Sequence, residues 1–202
     1  SGGDEFTSVT CDSRGPEPSG AGSTSDPGSA TGSDLTPTTD YAAPGSFETR
    51  KETGGPGNAY TLHYPSELGR GGVLHPIITW GNGTGATPVA YQGLLAHWAS
   101  HGFIVIASNS TQTGSGDEMM QGVRWLVAQH ASAGSAFQGA VDTTGIGASG
   151  HSQGGQGTIN SGTDPSVLAT APIQPGPAIG AAGQQNGPMF LMAGSSDTIV
   201  SA

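Results

Sequence analysis

The chain has 202 residues, with 5 Lys and Arg residues against 15 Asp and Glu residues and a formal net charge of −10. No cluster of basic residues is dense enough to neutralise phosphates or an anionic lipid surface, so nucleic acid is excluded as an expected partner. The single cysteine, Cys11, excludes an internal disulfide and a zinc site built from paired cysteines. No apolar stretch approaches the roughly 20 residues of a transmembrane helix.

The start of the chain is rich in Gly, Ser, Thr, Pro and Asp and contains few large apolar residues. Such a composition buries too little apolar surface to offset the entropy of ordering. Residues 1–46 are therefore predicted to be a disordered tether, and residues 47–202 the folded domain. Tails of this kind resemble those that follow the lipidated cysteine of bacterial lipoproteins. We expect a protein that is secreted or tethered to the bacterial cell surface, and any lipid anchor would lie upstream of Ser1.

Short apolar runs in the second part of the chain predict strands. Residues 60–64 alternate between apolar and polar side chains, as a strand does. Three other runs are continuous apolar segments bounded by Gly or Pro: residues 76–80, 103–108 and 189–194. Runs of this type are typical of strands that are buried on both faces.

Two helices are predicted between these strands. Over residues 91–99 the apolar side chains fall on one helical face, and Gly102 follows as a C-terminal stop. A second helix begins at Asp117, a residue type that caps helix N-termini, and it also has one apolar face. The alternation of strands and helices indicates parallel strands joined by right-handed crossovers, so the predicted fold class is α/β.

The sequence Gly-His-Ser-Gln-Gly at residues 150–154 fits the pattern G-x-S-x-G, in which a serine occupies a sharp turn between a strand and a helix. Residues 145–149 can end a strand and residues 153–160 can begin a helix, which is the context that the motif requires. A chain with 36 glycines also produces this pattern by chance in a flexible Gly/Ser loop. The strand, the helix and the surrounding alternation favour Ser152 as a nucleophile over that alternative.

A serine nucleophile needs N–H donors for the oxyanion that forms at the attacked carbonyl group. The N–H group of Gln153 is the first donor, because it follows the nucleophile in the turn. The second is expected from the loop after an earlier strand, and the glycine-rich segment 79–86 fits that place. We favour the N–H group of Asn82, with Gly83 as its neighbour, over the alternative of an ordinary strand-to-helix turn.

The acid of such a site is expected after the serine, in the chain order Ser, Asp, His. Asp197 directly follows the predicted strand 189–194, at a strand end where functional groups are presented. Asp142 is interpreted instead as the cap of a turn before the strand that carries the serine. Asp164, which precedes Pro165, is interpreted as a helix start.

Several segments between Asp40 and Ala202 together resemble one family. They are TLHYPSE, ITWGNGTG, LLAHWASHGFIVIASNS, VDTTGIGASGHSQGG, APIQP and FLMAGSSDTIV. These segments are similar to the polyester hydrolase and cutinase branch of the α/β-hydrolases, which is related to the dienelactone hydrolases. The resemblance implies an α/β-hydrolase fold, with a mostly parallel sheet flanked by helices, and it implies no metal and no organic cofactor.

The same resemblance implies roles for single residues. Ser152 is expected to be the nucleophile and Asp197 the triad acid, and the oxyanion donors would be Asn82 and Gln153. Contact with the substrate is expected from four residues: Gly83, His151, Ile173 and Gln174. Many polyester hydrolases have a tryptophan just after an Ala-Pro step, whereas this chain has Ile-Gln-Pro-Gly at residues 173–176. An aromatic clamp on a polymer is therefore missing from this segment.

The histidine of that family lies well beyond its aspartate, and none of the six histidines of this chain has that position. His151 adjoins the nucleophile, with its side chain directed away from the position of a base. The others fall in early strands, in helices or at helix ends: His63, His75, His97, His101 and His130. We therefore expect the domain to be incomplete at its C-terminus, without the catalytic histidine and the last strand and helix.

The expected function is that of a secreted serine esterase. It would hydrolyse carboxylic ester bonds, including those of polyesters or cutin-like substrates, through an acyl-enzyme intermediate. Two alternatives stay open. A lipase or acetylhydrolase would use the same triad on lipid esters, although the chain has no long apolar lid. A non-catalytic, surface-tethered binding protein on a hydrolase scaffold would suit the missing base.

Overall fold

The computed structural model describes Leu35, residues 38–177 and residues 181–198. The strands are β1 (Thr49–Gly54), β2 (Tyr60–Pro65), β3 (His75–Gly81), β4 (Ile104–Ser108), β5 (Val141–His151) and β6 (Ala169–Ile173). The α-helices are α1 (Gln92–Ser100), α2 (Asp117–Ala131) and α3 (Gln153–Ser161), and short 3-10 turns lie at Pro56–Asn58, Arg70–Gly72, Pro88–Tyr91 and Ala182–Gln184. None of the described helices combines the length and the apolar character needed to cross a bilayer.

The six strands form one mixed sheet in the order β1-β2-β4-β3-β5-β6. Strand β2 pairs antiparallel with both β1 and β4. Strands β4, β3, β5 and β6 run parallel to one another. The predicted α/β class, with a mostly parallel sheet flanked by helices, is confirmed. Because β3, β5 and β6 are parallel, their carboxyl ends meet at one edge of the sheet, which is where ligands bind in open α/β sheets.

The core has two layers, one on each face of the sheet. All five residues of β4 are buried. Ile104 and Ile106 pack in the cluster that contains the apolar face of α2, while Val105 and Ala107 pack in the cluster that contains Leu95 of α1. Since successive side chains of a strand point to opposite faces, burial on both faces requires an unbroken apolar run.

The segment before β1 contacts the C-terminal end of α1. Four hydrogen bonds join the two segments: Gly45 N to Ser100 Oγ (2.8 Å), Phe47 N to Ser100 O (3.0 Å), His97 Nε2 to Tyr41 O (2.9 Å) and His101 Nε2 to Ala43 O (3.1 Å). Contacts with the domain thus begin before the boundary predicted at residue 46. In residues 41–47 these hydrogen bonds involve only backbone atoms, so the amino-acid composition does not predict them. Most of the predicted tether, including Cys11, lies outside the described residues.

The prediction that residues 189–194 form a strand buried on both faces was wrong about the burial. Met189 and Met192 form isolated parallel bridges with Thr170 and Ile173 of β6. The segment therefore runs beside β6 and parallel to it. However, Phe190 is 69% and Leu191 is 48% exposed, so this segment is not buried on both faces.

Two helix starts also differ from the prediction. The N-cap position of α2 is occupied by Gly116, at φ 84°, and Asp117 is the first helical residue. Asp164 closes a turn rather than starting a helix, since its Oδ1 accepts hydrogen bonds from the N–H and hydroxyl groups of Ser166. These bonds hold the pKa of the Asp164 carboxyl below its usual value. Asp142 caps a turn, because its Oδ1 accepts from the Thr144 N–H and hydroxyl groups and the Gly145 N–H group, but this turn lies within the bounds of β5 and not before it.

Candidate active site

Ser152 lies in the turn between β5 and α3, with φ 55° and ψ −117°. A positive φ is uncommon for a residue with a side chain, and it persists only where the surroundings fix the backbone. The Ser152 N–H group donates to Ile173 O (3.0 Å), and the Ser152 carbonyl oxygen accepts from the N–H groups of Gln156 (3.1 Å) and Gly176 (2.9 Å). Backbone groups of β6, α3 and the loop after β6 therefore hold this serine.

The glycines around Ser152 allow three segments to touch through their backbones. A methyl group on Gly154 would lie 2.0 Å from Gly81 O and 2.7 Å from Asn82 N. A methyl group on Gly150 would lie 2.3 Å from Gly154 O, and one on Gly155 would lie 2.8 Å from Pro175 Cα. Distances of this size leave no room for any side chain. The glycines thus bring the end of β3 against the first turn of α3.

This contact brings together the two residues that were predicted to supply oxyanion donors. The first N–H groups of a helix have no acceptor within the helix, and Gln153 is the first residue of α3. Its side chain points to another loop, where Oε1 accepts from Thr113 N (3.1 Å) and Nε2 donates to Gln112 Oε1 (2.9 Å). The backbone of Asn82 lies against the neighbouring Gly154, as the close approach above requires.

The side chain of Asn82 anchors the loop after β3. It is fully buried, and its Nδ2 donates to Ser108 O (2.6 Å) and Ser110 O (2.9 Å) beyond the end of β4. The Thr113 hydroxyl group donates to Asn82 O (2.9 Å). The sequence motif predicts only a backbone role for Asn82. The signal for this side-chain role is an Asn between two glycines after a buried strand, which is typical of a structured turn.

Gly83 is buried, and its N–H group donates to the Tyr91 hydroxyl group at 3.1 Å. The same hydroxyl oxygen lies 3.1 Å from His151 Nδ1. His151 therefore turns its Nδ1 toward Tyr91. The sequence pattern predicts Tyr91 only as part of the apolar helical face over residues 91–99, and its position between two predicted site residues follows from the fold alone.

Ile173 and Gln174 lie at the carboxyl end of β6. Ile173 is partly buried and packs against the cluster that contains Trp80. Gln174 has φ 43°, which is again unusual for a residue with a side chain. Its Oε1 accepts from the Gly194 N–H group and its Nε2 donates to Asp197 Oδ2. The amide of Gln174 thus joins β6 to the acid.

Asp197 lies in a turn after the segment 189–194, where its N–H group donates to Gly194 O (3.1 Å). It reaches the serine turn through two consecutive residues. Gln174 binds its carboxylate, and the preceding Ile173 binds the Ser152 N–H group. The predicted nucleophile and the predicted acid therefore lie at the same edge of the sheet.

All six histidines are described, and five of them lie away from this edge. His63 is in the middle of β2, where burial and, to a smaller extent, Lys51 lower its pKa to about 4. The others are at the amino end of β3 or near the C-terminal ends of α1 and α2: His75, His97, His101 and His130. Helices that cross back between parallel strands end at the amino edge of the sheet. His151 is next to Ser152, but its described hydrogen bond goes to Tyr91.

One known protein family matches the part of the chain that contains all of these site residues. A family model described as PET hydrolase-like matches residues 14–202. The match spans the whole sheet, its three α-helices and the segment that carries Asp197. No curated protein gives a match to this chain. Among the described residues, no group of three or more His, Cys, Asp or Glu side chains could hold a metal ion.

Proposed function

Because this chain belongs to the PET hydrolase-like family of α/β-hydrolases and is an ester hydrolase of that type, we propose that it works as a serine esterase through an acyl-enzyme intermediate. The observation that carries the proposal is the backbone of Ser152, held at φ 55° between a parallel strand and a helix. In this geometry, a nucleophile elbow, the serine oxygen is exposed at the carboxyl edge of the sheet, next to free N–H groups of the helix.

The proposed reaction has two steps of the same kind. Ser152 Oγ attacks the ester carbonyl carbon while a histidine takes its proton, and the N–H groups of Asn82 and Gln153 stabilise the oxyanion. The C–O bond to the alcohol then breaks, and the histidine returns the proton to the departing alcohol. Water attacks the acyl group on Ser152 in the same way and releases the acid. Asp197 orients the imidazole and stabilises its charged form.

The proposal assigns the general base to a histidine outside residues 1–202. Five of the six histidines lie away from the carboxyl edge of the sheet. The Nδ1 atom of the sixth, His151, is engaged with Tyr91. Without a base, the Ser152 hydroxyl group stays protonated at neutral pH and is a weak nucleophile.

The proposed substrates are simple or polymeric carboxylic esters, including cutin-like ones. Contact with the substrate is proposed for four residues near Ser152 at the carboxyl edge of the sheet: Gly83, His151, Ile173 and Gln174. Residues 173–176 contain no aromatic side chain, so they supply no stacking on an aromatic polymer unit. We propose that the protein acts outside the cell or at the bacterial surface, which the Gly/Ser-rich composition of residues 1–46 supports.

The test uses a polypeptide that starts at Ser1 and continues past Ala202 into the following coding sequence. Ser152→Ala is compared with Ser66→Ala, a matched change at an exposed serine outside the site. We expect Ser152→Ala alone to abolish turnover of p-nitrophenyl acetate and labelling by a fluorophosphonate. Near-normal turnover in Ser152→Ala would overturn the proposal.

The chain of residues 1–202 is assayed beside the longer polypeptide to test the assignment of the base. We expect the shorter chain to hydrolyse p-nitrophenyl acetate at least about a thousandfold more slowly, since loss of one triad member has effects of that size or larger. Equal specific activities would mean that one of the six histidines is the base, and that the family pattern fails at this position.

A further inference from the structure

The two proposed oxyanion donors come from distant parts of the chain, the loop after β3 and the start of α3. A developing oxyanion is stabilised only if both N–H groups lie about 3 Å from the same point. Their relative position therefore matters for the rate. The hydroxyl group of Tyr91 links the loop after β3 to the end of β5, two residues before Gln153, because it lies 3.1 Å from Gly83 N and 3.1 Å from His151 Nδ1.

The Tyr91 side chain is fixed by packing as well as by hydrogen bonds. Tyr91 occupies the N-cap position of α1, at the end of the 3-10 turn Pro88–Tyr91. Its ring centroid is 4.8 Å from that of Trp80, which is fully buried, and 5.9 Å from that of His151. A methyl group on Gly83 would lie 3.0 Å from the Tyr91 hydroxyl oxygen and 3.0 Å from His151 Nδ1. The three groups therefore fill the space between loop and turn.

The chemistry of the bridge follows from its donors and acceptors. The Gly83 N–H group can only donate, so the Tyr91 oxygen accepts this bond. The hydroxyl group then has one hydrogen left to donate, and the nearest acceptor is His151 Nδ1. A neutral imidazole that accepts at Nδ1 carries its proton on Nε2. Both hydrogen bonds of the bridge thus have the same direction: Gly83 donates to Tyr91, and Tyr91 donates to His151.

We propose that Tyr91 is a positioning residue of the oxyanion site. Its hydroxyl group holds the loop of Asn82 and Gly83 in register with the turn of His151 and Ser152. It also engages the Gly83 N–H group, so that the oxyanion is stabilised by Asn82 and Gln153 instead. This inference rests on the proposed serine esterase function, and it adds a residue that touches neither the substrate nor the reacting atoms.

The first test examines the bridge without relying on catalysis. Tyr91→Phe removes only the hydroxyl group and keeps the ring against Trp80. Amide hydrogen exchange of Gly83 is measured by NMR in the chain of residues 1–202, with the Asn109 amide, bonded to Ala59 O at 2.8 Å, as an internal reference. We expect Gly83 exchange to become about tenfold faster in Tyr91→Phe and Asn109 exchange to stay unchanged. The matched control is Tyr41→Phe, since Tyr41 is 76% exposed.

The second measurement is the ¹⁵N chemical shift of the two ring nitrogens of His151. We expect the parent chain to show the form with the proton on Nε2, and Tyr91→Phe to show a mixture of both tautomers. A parent chain with the proton on Nδ1, or an unchanged Gly83 exchange rate in Tyr91→Phe, would overturn the bridge.

The third measurement uses the esterase-active longer polypeptide. We expect Tyr91→Phe to lower kcat for p-nitrophenyl acetate about threefold to tenfold, with KM unchanged, because the oxyanion forms only after binding. Tyr41→Phe should leave both constants unchanged. If kcat is unchanged in Tyr91→Phe although Ser152→Ala is inactive, the positioning role is wrong and the esterase function stands. If Ser152→Ala is active, the esterase function itself is wrong.

Discussion

The serine and the acid of the proposed triad are held by different means. Around Ser152, β3, β5 and α3 meet through backbone atoms, and glycines remove every side chain from the contact. The segment before Asp197 pairs with β6 through backbone hydrogen bonds of Pro188, Phe190 and Met192, but the Asp197 carboxylate is reached from β6 by the side chain of Gln174. The nucleophile is therefore held by close packing of backbones, while the carboxylate of the acid is joined to β6 by the side chain of Gln174.

This difference separates changes that remove the fold from changes that tune the site. Backbone contacts in a close-packed region have no alternative arrangement, so an added methyl group must displace a strand or a helix. A side-chain bridge can be removed while the backbone stays in place. Sequence changes near the serine are expected to be destructive, and those near Asp197 to be graded.

The largest effect is expected from Gly154→Ala. The new methyl group would lie 2.0 Å from Gly81 O. This oxygen is a backbone atom, so it cannot move aside as the end of a flexible side chain could. We expect a loss of at least about 3 kcal/mol of unfolding free energy, at or beyond the upper end of overpacking effects, together with the loss of esterase activity. Urea denaturation followed by circular dichroism measures the first quantity.

Gly93→Ala is the control for this prediction. Gly93 lies in α1, and a methyl group there would meet no atom within 4 Å. Alanine is the better helix former, so this variant should be more stable by up to about 1 kcal/mol. Equal stability of Gly154→Ala and the parent chain would show that β3 and α3 are not in close contact.

The next effect concerns the acid itself. Asp197→Asn keeps the size of the side chain and removes the charge that orients and stabilises an imidazolium. We expect kcat of the longer polypeptide to fall about 10⁴-fold, the usual result of replacing a triad acid by its amide. The unfolding midpoint should change little. A small loss of kcat would mean that another carboxylate serves as the acid.

A smaller effect is expected from Gln174→Leu, which keeps the volume of the side chain but removes both hydrogen bonds of the amide. The acid then loses one donor while its backbone turn stays in place. We expect kcat to fall about tenfold, with the stability changed by no more than about 1–2 kcal/mol. A change as large as that of Asp197→Asn would show that the segment 194–197 needs Gln174 to be ordered at all.

The sequence allowed prediction of the elements whose pattern is local. The continuous apolar run of β4 and the one-sided apolar pattern of α2 both follow from short-range periodicity. Strand β1 was not predicted from its residues, because Thr49–Gly54 is an edge strand with mostly exposed, charged side chains and no apolar alternation. For residues 189–194 the burial was overestimated, because an apolar run does not show how much of it other residues cover.

In the site, the motif predicted the serine, the acid and the oxyanion segments, but not the side chains that connect them. Tyr91 and Gln174 act across gaps of 60 and 23 residues, to His151 and Asp197 respectively. No local pattern records such a contact. A tyrosine on an apolar helix face and a glutamine after a strand have many uses, and only the fold shows which atoms they meet.

A change of pH tests whether the core of the sheet and the segment beside β6 respond separately to acid. His63 is 4% exposed, its Nε2 atom has no hydrogen-bond partner, and burial lowers its pKa from 6.5 to about 4. The unfolded chain binds a proton below pH 6.5 that the folded chain refuses until about pH 4, so stability is complete above pH 6.5 and falls through that interval. Between pH 7.5 and 5 the expected loss is about 2 kcal/mol. His75, whose pKa burial also lowers, adds to the loss.

Denaturation by urea at both pH values measures this loss, and His63→Phe should flatten the dependence on pH without removing the part due to His75. Exchange of the Phe190 amide, which donates to Thr170 O at 2.8 Å, reports the local opening of the segment beside β6. We expect its opening free energy to stay the same at both pH values, because this segment contains no histidine. Equal pH dependence in His63→Phe and the parent chain would exclude His63 as the cause. A parallel loss at Phe190 would mean that the acid segment opens only when the whole sheet unfolds, and that its backbone pairing with β6 holds it as firmly as packing holds the serine.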